Sequence, residues 1–444
     1  MLTDIHFDPF YDPAKVAELR NVPAAQWHAI LAAPDTPTRA ADFSALQAAC
    51  KTKTDTFFPL LTSSLRAEQA QQPHPLFITV SGDLMAHKFD CRFKQLAPKA
   101  TAAEYSAFAA KTVEFVTLEL RAAFPKVPIY FTLGNNDSGC EDYKEDRDSA
   151  FLRSDAISFA AAVDTPNRQS VLGQFPMEGD YSAALPAPFH NTRLLVLQDI
   201  FQASSFTACN NKPDAAAAAQ QIAWLRAQLL AARRGHRKVW VMAHIPPGID
   251  PYATFNNKQN KCGGSPSTFL GSDSFAATLA EFADVIKLAL FAHTHMDEMR
   301  VFSGPRGTVP GKLVPSISPV NGNNPAFTVA QINPVTATLQ DYTVFAATNN
   351  SGDKWVQEYR YSSAYNLPDY SGASAAKLAA GFIADKSGTA PASISYEKFY
   401  VSGGGGLVAN VKAAGMQLVW PTFACSIAEP SKDGYKACLC PAHP

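Results

Sequence analysis

The chain contains 444 residues, of which 47% are hydrophobic, and its formal net charge is −1. A chain of this length can bury a large core and form one large domain or two unequal domains. The balanced charge excludes a globally basic surface for specific nucleic-acid binding. The lack of a run of about 18 apolar residues excludes a transmembrane segment.

Helical and strand patterns alternate along the first part of the chain. Residues 43–68 carry apolar side chains at the helical period and are expected to cover a sheet, and residues 75–81 form a short strand rich in β-branched residues. A long helix is predicted over 102–124 and a strand over 127–133. Residues 143–163 return to the helical period.

A second series of strands and helices follows. Strands are predicted over 193–199, 238–243 and 286–292, and helices are predicted over 215–234 and 275–282. This alternation of strands and helices predicts a layered α/β fold.

The pattern changes in the last part of the chain. Residues 326–333 and 337–346 alternate apolar and polar side chains and are separated by an Asn-Pro pair, which predicts two antiparallel strands in a second sheet. From about residue 351 onward, aromatic-rich helical stretches and a glycine run at 403–406 predict a C-terminal subdomain.

Five short motifs contain residue types that bind divalent metals. Most of them directly follow a predicted strand, and the carboxyl ends of adjacent parallel strands converge in space. Carboxylates, amide oxygens and imidazoles are suitable metal ligands. Each motif alone is common in turns, but the ordered set predicts one two-metal centre. Its ligands are Asp4, His6, Asp83, Asn135, His244, His293 and His295.

Spacing suggests how the ligands divide. Asp4 and His6 are separated by one residue, so on a strand both side chains point to the same face and can bind one ion. Asp83 can bridge two ions with its two oxygens. Two ions about 3.5–4 Å apart would share a hydroxide that attacks phosphorus.

The ordered motifs D-x-H, G-D, G-N, H and H-x-H resemble those of the calcineurin-like metallophosphoesterase superfamily. The segments TDIHFDPFYDP, GDLMAH, AHIPPG and FAHTHMDEM resemble the acid sphingomyelinase-like phosphodiesterase branch. This resemblance implies a four-layer αββα sandwich with a mostly helical C-terminal subdomain. We place the catalytic domain at 1–348 and the disulfide-containing subdomain at 349–444.

The resemblance also divides the ligands between two ions. It implies one ion held by Asp4, His6, Asp83 and His295, and a second held by Asp83, Asn135, His244 and His293. Relatives in this branch commonly use zinc, which agrees with imidazole-rich coordination, while iron and manganese remain alternatives.

One motif departs from the family pattern, in which Gly-Asn is followed by a histidine that protonates the leaving group. Here Asn136 and Asp137 follow Gly134-Asn135. Asn136 can donate a hydrogen bond to a phosphoryl oxygen but cannot act as an acid. His87 is then the best remaining acid, so we predict that His87 and Asn136 are catalytic and bind substrate. The alternative for His87 is a structural loop histidine.

The function implied by the resemblance is phosphodiester hydrolysis by a metal-bound hydroxide. Endopolyphosphatases similar to this branch also carry Gly-Asn-Asn-Asp, which leaves a phosphoanhydride hydrolase of nucleotides or polyphosphate as an alternative. A catalytically weak scaffold that binds metal and phosphate is the third possibility. The expected substrates are a small phosphodiester, a nucleotide, a phospholipid head group or polyphosphate.

The chain has eight cysteines, several of them in polar loops, which predicts an oxidising compartment. We expect a secreted, periplasmic or lysosome-like location, and no signal peptide is visible in the chain. Cys91 and Cys140 each follow a strand-end motif, so their loops are expected to be neighbours. Cys209 and Cys262 lie in two later loops, and Cys425 is expected to pair within the tail that contains Cys438.

Overall fold

The computed structural model of the protein describes residues 1–402 and 407–441, so the glycine run at 403–406 lies outside the described residues. The strands are β1 (Ile78–Ser81), β2 (Ile129–Thr132), β3 (Tyr181–Ala184), β4 (Thr192–Val196), β5 (Lys238–Met242), β6 (Ile286–Phe291), β7 (Glu298–Gly304), β8 (Gly307–Leu313), β9 (Ala326–Ile332), β10 (Leu339–Ala347) and β11 (Trp355–Arg360). The helices are α1 (Val16–Asn21), α2 (Trp27–Ala32), α3 (Arg39–Cys50), α4 (Phe58–Gln71), α5 (Phe89–Leu96), α6 (Ala102–Ala123), α7 (Ala150–Ala162), α8 (Thr165–Glu178), α9 (Ala215–Arg234), α10 (Pro251–Asn256), α11 (Ser274–Glu281), α12 (Tyr361–Tyr365), α13 (Gly372–Ala384), α14 (Pro391–Phe399), α15 (Leu407–Leu418), α16 (Trp420–Ala428) and α17 (Lys432–Leu439).

The strands form three hydrogen-bonded sets, and the N-terminal segment joins two of these sets into a first sheet. In the first, β1 and β2 are parallel, and the N-terminal segment lies beside β1, where the backbone N–H of Leu2 donates to the carbonyl of Thr79 at 2.9 Å. The carbonyl of Met1 accepts from Thr328 of β9 at 3.1 Å, which joins the antiparallel set β9, β10 and β11 to the same side. The second sheet has the order β3-β4-β5-β6-β8-β7, with β4, β5 and β6 parallel.

The side chains of each strand point alternately to the two faces of its sheet, and this separates the core between the sheets from the core under the helices. In β5, Trp240 and Met242 join the core shared with β1 and β2, while Val239 and Val241 face a separate cluster formed with α9 and α11. On the opposite side, α6 packs its buried face, which includes Val116, against the first sheet. The result is the expected order of helix, sheet, sheet and helix.

Several predicted elements are confirmed within a few residues, but two predicted helices are wrong in extent. The stretch 43–68 is divided into α3 and α4, because Lys51 adopts a left-handed conformation (φ 52°) after α3 and Pro59 starts α4. The helix predicted from residue 143 begins only at Ala150, after left-handed Tyr143 and Asp148. The predictions omitted α8, β3 and the β7–β8 hairpin.

The C-terminal helices are attached to the second sheet. The hydroxyl of Tyr370 donates to the carbonyl of Gly311 in β8 at 2.7 Å, and α13 and α16 pack on β7 and β8. The predicted boundary after residue 348 falls between β10 and β11, which pair with each other. The division into two domains therefore stays a prediction. No described helix is long and apolar enough to cross a membrane.

All eight cysteines form disulfides, namely Cys50–Cys91, Cys140–Cys209, Cys262–Cys440 and Cys425–Cys438. The pairing of Cys425 within the tail is confirmed. The segments that carry Cys91 and Cys140 are neighbours, as expected, since Lys94 contacts Glu141 at 3.0 Å. The two cysteines nevertheless do not pair with each other, because Cys91 lies on α5, which packs against the end of α3. The set of six predicted half-cystines omitted Cys50 and Cys440.

Candidate metal centre and active site

The structure brings all seven predicted metal ligands together at one edge of the sandwich. Asp83 follows β1, Asn135 follows β2, His244 follows β5 and His293 follows β6. The N-terminal segment beside β1 supplies Asp4 and His6, and His295 lies in the turn before β7. The site therefore lies where the carboxyl ends of both sheets meet.

The ligand atoms fall into two groups that share Asp83. Ligand atoms of Asp4, His6 and Asp83 lie within 4.8 Å of one another, and so do those of Asp83, His244 and His293. Oδ2 of Asp83 lies 3.4 Å from Nε2 of His6 and 3.2 Å from Nε2 of His244. Nε2 of His295 lies 3.1 Å from Nε2 of His6, which adds it to the first group.

Five of these residues have a left-handed backbone: Asp4 (φ 44°), His6 (φ 44°), Asp83 (φ 53°), His293 (φ 73°) and His295 (φ 67°). This conformation is uncommon for residues other than glycine and clusters at functional sites. Asp4 and His6 therefore do not lie on a regular strand, so the prediction that strand geometry points both side chains to one face is wrong. Their side chains converge because both residues have the same left-handed backbone conformation.

Two glycines keep the backbone close to the site. A β-carbon at Gly82, whose φ is +92°, would lie 2.7 Å from the backbone N of Gly134 and 2.8 Å from Nδ1 of His244. A β-carbon at Gly134 would collide with the carboxylate of Asp83. Both motifs therefore need glycine for space, and Gly82 needs it also for its left-handed conformation.

Backbone carbonyls and an amide orient the imidazoles. Nδ1 of His6 donates to the carbonyl of Met85 and Nδ1 of His244 donates to the carbonyl of Ser81, both at 2.8 Å, so each Nε2 faces the centre. Nδ1 of His293 lies 2.9 Å from Oδ1 of Asn135, and its Nε2 lies 3.4 Å from the hydroxyl of Tyr143.

The electrostatics of the site favour a cation. Burial is the largest single effect and opposes protonation of the histidines, but Asp83, Asp4 and other nearby carboxylates together outweigh it and raise the pKa of His6 to about 9 and that of His244 to about 10. Burial lowers the pKa of His293 to about 4 and that of His295 to about 3. Protonated His6 and His244 thus balance the charges of the buried carboxylates Asp4 and Asp83. Bound metal ions would supply this positive charge in place of the protons.

The donor set fits two divalent cations. Oδ1 of Asp4 and Nε2 of His244 are buried and have no hydrogen-bond partner among the described residues. Buried polar atoms without a partner are costly, and a metal ion would satisfy them. Imidazole, carboxylate and amide oxygen are ligands for zinc, iron and manganese.

Asn136 and Asp137 have different surroundings. The backbone N–H of Asn136 donates to Oδ1 of Asp83 at 2.8 Å, and its side-chain amide donates to Oδ2 of Asp83 at 2.9 Å. Asn136 therefore contacts the carboxylate shared by both groups. The Asp137 carboxylate accepts from the backbone N–H groups of Leu84, Met85 and Gly134 at 2.8–2.9 Å, so it joins two ligand-bearing loops.

His87 lies at the edge of the first group. Its ring stacks on that of His6 with centroids 3.9 Å apart, and its ligand atom is within 4.8 Å of those of His6 and His295. Nδ1 of His87 donates to Asp55 at 2.9 Å. The structure thus places His87 beside the candidate metal centre.

Sequence reasoning missed three residues that support the ligands. Asp55 contacts His87, the hydroxyl of Tyr143 contacts His293, and Asp199 accepts from the backbone N–H of His244 at 3.1 Å. Asp55 lies in the stretch that was predicted as helix, where Pro59 was the available sign of a break. Tyr143 lies in a loop and Asp199 begins a short 3-10 helix, and both contact residues that are distant in sequence.

Comparisons with known proteins agree with this geometry. Acid sphingomyelinase-like phosphodiesterase 3b from Mus musculus is 27% identical over 388 residues, covering 83% of this chain and 76% of that protein. Cyclic GMP-AMP phosphodiesterase SMPDL3A from Homo sapiens is 24% identical over 267 residues, covering 57% of this chain and 55% of that protein.

Among solved structures, a dimetal phosphatase from Danio rerio shares 13% identity over 68% of this chain and 85% of that chain, with a TM-score of 0.35. A similarity this low adds nothing to the description of the fold given above. A family model described as calcineurin-like phosphoesterase matches residues 2–297 and so spans all seven predicted ligands. The chain therefore belongs to the calcineurin-like phosphoesterase family and is a metal-dependent phosphoester hydrolase.

Proposed function

We propose that this protein hydrolyses a phosphodiester at a centre of two divalent cations, with Zn²⁺ as the natural metal. The observation that carries the proposal is the pair of donor groups that share Asp83. Asp4, His6, Asp83 and His295 would hold one ion, and Asp83, Asn135, His244 and His293 would hold the other. Two such ions would activate a water molecule and neutralise charge on the phosphoryl oxygens.

The protein's own groups have separate tasks in this proposal. The carbonyls of Met85 and Ser81 keep Nε2 of His6 and His244 directed at the centre. His87 lies at the rim, where it would donate a proton to the leaving oxygen. Asn136 donates to Asp83 and lies close enough to the centre to contact a phosphoryl oxygen if that hydrogen bond is exchanged.

The preference for a diester is supported by the relatives. The two relatives described above are named as phosphodiesterases, one of them for cyclic GMP-AMP. The four disulfides support a secreted or lumenal location, where an oxidising environment preserves them. A small diester or a phospholipid head group would both present one phosphorus atom to the same centre.

Hydrolysis of nucleotides or polyphosphate is the second candidate, and the Gly134-Asn135-Asn136-Asp137 motif favours it. A polyphosphate chain would need a basic groove, and the basic residues that follow the Gly82-Asp83 motif in the chain are Lys88, Arg92, Lys94 and Lys99. Arg92 is buried and pairs with Asp8 and Asp55, and Lys94 pairs with Asp90 and Glu141. These pairings weaken the case for such a groove.

The test compares substrates and metals on the purified protein. Chelator-treated protein would be assayed on bis-(p-nitrophenyl) phosphate, p-nitrophenyl phosphate, ATP and polyphosphate after addition of Zn²⁺, Mn²⁺ or Fe²⁺. The proposal expects diester cleavage to return best with Zn²⁺ and two equivalents bound. Preferential cleavage of ATP or polyphosphate would instead support phosphoanhydride hydrolysis. Two bound ions without any turnover would favour the inactive scaffold.

A further inference from the structure

A single buried carboxylate holds both the ring and the backbone of His87. Nδ1 of His87 donates to Oδ1 of Asp55 at 2.9 Å, and the backbone N–H of His87 donates to Oδ2 of Asp55 at 3.0 Å. The Asp55 side chain is fully buried, whereas the His87 side chain is 30% exposed. Asp55 is therefore the buried partner in this contact, and His87 is the partner that a ligand can reach.

Other groups fix Asp55 in turn. Nη2 of Arg92 donates to Oδ2 of Asp55 at 3.1 Å, and the hydroxyl of Ser318 donates to Oδ1 at 2.9 Å. The buried guanidinium of Arg92 also pairs with Asp8. Because a buried ion pair is costly to break, these contacts hold the carboxylate in one position.

The chain is tied together at the same place. The Cys50–Cys91 disulfide joins the end of α3 to α5, and Cys91 immediately precedes Arg92. Cys50 lies five residues before Asp55, on the segment that leads from α3 to the site. One covalent bond therefore links the segment that carries Asp55 to the helix that follows His87.

The position of Asp55 determines which nitrogen of His87 faces the centre. With Nδ1 donating to Asp55, the other ring nitrogen, Nε2, remains for a ligand. The His87 ring lies 3.9 Å from the ring of His6 and 5.4 Å from that of His295, measured between centroids. A nitrogen at this location can reach the leaving oxygen of a substrate bound at the centre.

We infer that Asp55 is a positioning residue that orients His87 toward the leaving oxygen, and this inference rests on the proposed function. As the oxygen of hydroxide forms its bond to phosphorus, the bond to the leaving oxygen breaks and its electron pair stays on that oxygen. The proton on Nε2 of His87 moves to the leaving oxygen. His87 becomes neutral with Nδ1–H still bound to Asp55, and solvent returns the proton.

Leaving-group dependence separates this role from a merely structural one. A p-nitrophenolate departs without a proton, whereas a phenolate or alkoxide departs far more readily when protonated. Asp55→Asn and His87→Ala are each expected to lower kcat for phenyl and alkyl phosphodiesters by about 10²-fold. The kcat for bis-(p-nitrophenyl) phosphate should stay within about threefold of wild type, because general-acid help is small there. KM and the bound metal content should not change.

A double variant and a control variant test whether the effect comes from the Asp55–His87 pair. The double variant Asp55→Asn/His87→Ala should be no slower than His87→Ala, because residues that act as one unit are not additive. Asp341→Asn is the matched control, since Asp341 is another Arg-paired carboxylate but lies on β10 and contacts Arg360 and Ser362. It should leave the whole leaving-group series unchanged.

A second variant covers the risk that Asp55→Asn does not fold. Asp55→Glu keeps a carboxylate for Arg92 but shifts it by one methylene, and it should show the same selective loss for poor leaving groups. An equal loss for all leaving groups, or an effect that adds fully to that of His87→Ala, would overturn the inference. Wild-type protein that cleaves no diester with metal present would instead overturn the proposed function.

Discussion

Asp83 is the side chain that belongs to both donor groups. Its oxygens lie within 3.4 Å of Nε2 of His6 and of His244, and both accept from Asn136. His244 and His6 outweigh burial and hold its pKa well below the usual range, so the carboxylate is ionised. Its geometry suits a bridge between two cations.

Asp83→Asn should therefore affect both ions. The amide keeps the shape of the side chain but removes the charge, so we expect fewer than two equivalents of metal after desalting. Diesterase activity should fall by at least about 10²-fold, which is the loss seen when even outer-shell partners of a metal are removed. Metal analysis and steady-state kinetics would measure both effects, with Asp341→Asn as the control. Full metal content with normal turnover would contradict the bridging role.

At the scale of the elements, the site depends on how closely the turns after β1 and β2 approach each other. Gly134 lies against Asp83, and the Asp137 carboxylate binds the backbone of both turns. The two parallel strands thus end in loops that are held together by hydrogen bonds from their backbone N–H groups to one buried carboxylate. Small changes in these loops should move ligands without unfolding the sandwich.

Gly134→Ala tests this tight approach. The new methyl group would meet the carboxylate of Asp83, so Asp83 must move and metal affinity should fall by about 10-fold or more. Because the methyl group would also lie 2.6 Å from the backbone N of Asp83, the turn itself must shift, and the thermal unfolding midpoint of the metal-free protein should fall as well. Gly173→Ala is the matched control, because a β-carbon at Gly173 would meet no heavy atom within 4 Å. Unchanged metal affinity in Gly134→Ala would show that the loop can accommodate the methyl group.

The disulfides close loops of very different length. Cys262–Cys440 spans 178 residues and Cys425–Cys438 spans 13. In the chain-entropy model, a longer loop gives more stabilisation of the folded state, about 5 kcal/mol for the first bond and about 3 kcal/mol for the second.

Replacing both cysteines of each pair by serine tests this difference. Urea unfolding should show a larger loss of unfolding free energy for Cys262→Ser/Cys440→Ser than for Cys425→Ser/Cys438→Ser. Diesterase activity below the unfolding transition should persist in both variants. The reverse order of stability would mean that local packing of α16 and α17 outweighs loop length.

At the scale of the whole molecule, several buried carboxyl groups lack full hydrogen bonding. Burial raises the pKa of Glu145 to about 8 and the pKa values of Asp155 and Asp180 well above their usual range. The folded state therefore binds these protons over a pH range in which the unfolded state releases them. Stability from such groups is fully present below the unfolded pKa and is lost as pH rises through the folded pKa.

The unfolding free energy should accordingly fall as pH rises from about 4.5 to 8, and Glu145 alone would account for about 3–5 kcal/mol. Glu145→Gln should reduce this slope and gain stability at pH 8 relative to wild type. Chemical denaturation at pH 5 and pH 8 measures the difference, with exposed Glu18→Gln as the control. A slope identical in Glu145→Gln and wild type would contradict the pKa shift.

The sequence by itself identified the candidate ligands of the site. Short motifs such as Gly82-Asp83 and His293-Thr294-His295 follow apolar strands, and both the strand and the turn are set by residues close in the chain. The α/β class, the helix α6 and the antiparallel pair β9 and β10 follow from local periodicity for the same reason.

Only the tertiary structure decided which distant residues meet. The partners of Cys91 and Cys140, the contact between Asp55 and His87, and the hydroxyl of Tyr143 on His293 all join segments far apart in sequence. No local pattern encodes such contacts, because they depend on how the two sheets and their loops pack. The left-handed backbone at Asp4 and His6 has the same origin, since packed neighbours must hold a conformation that these residues disfavour.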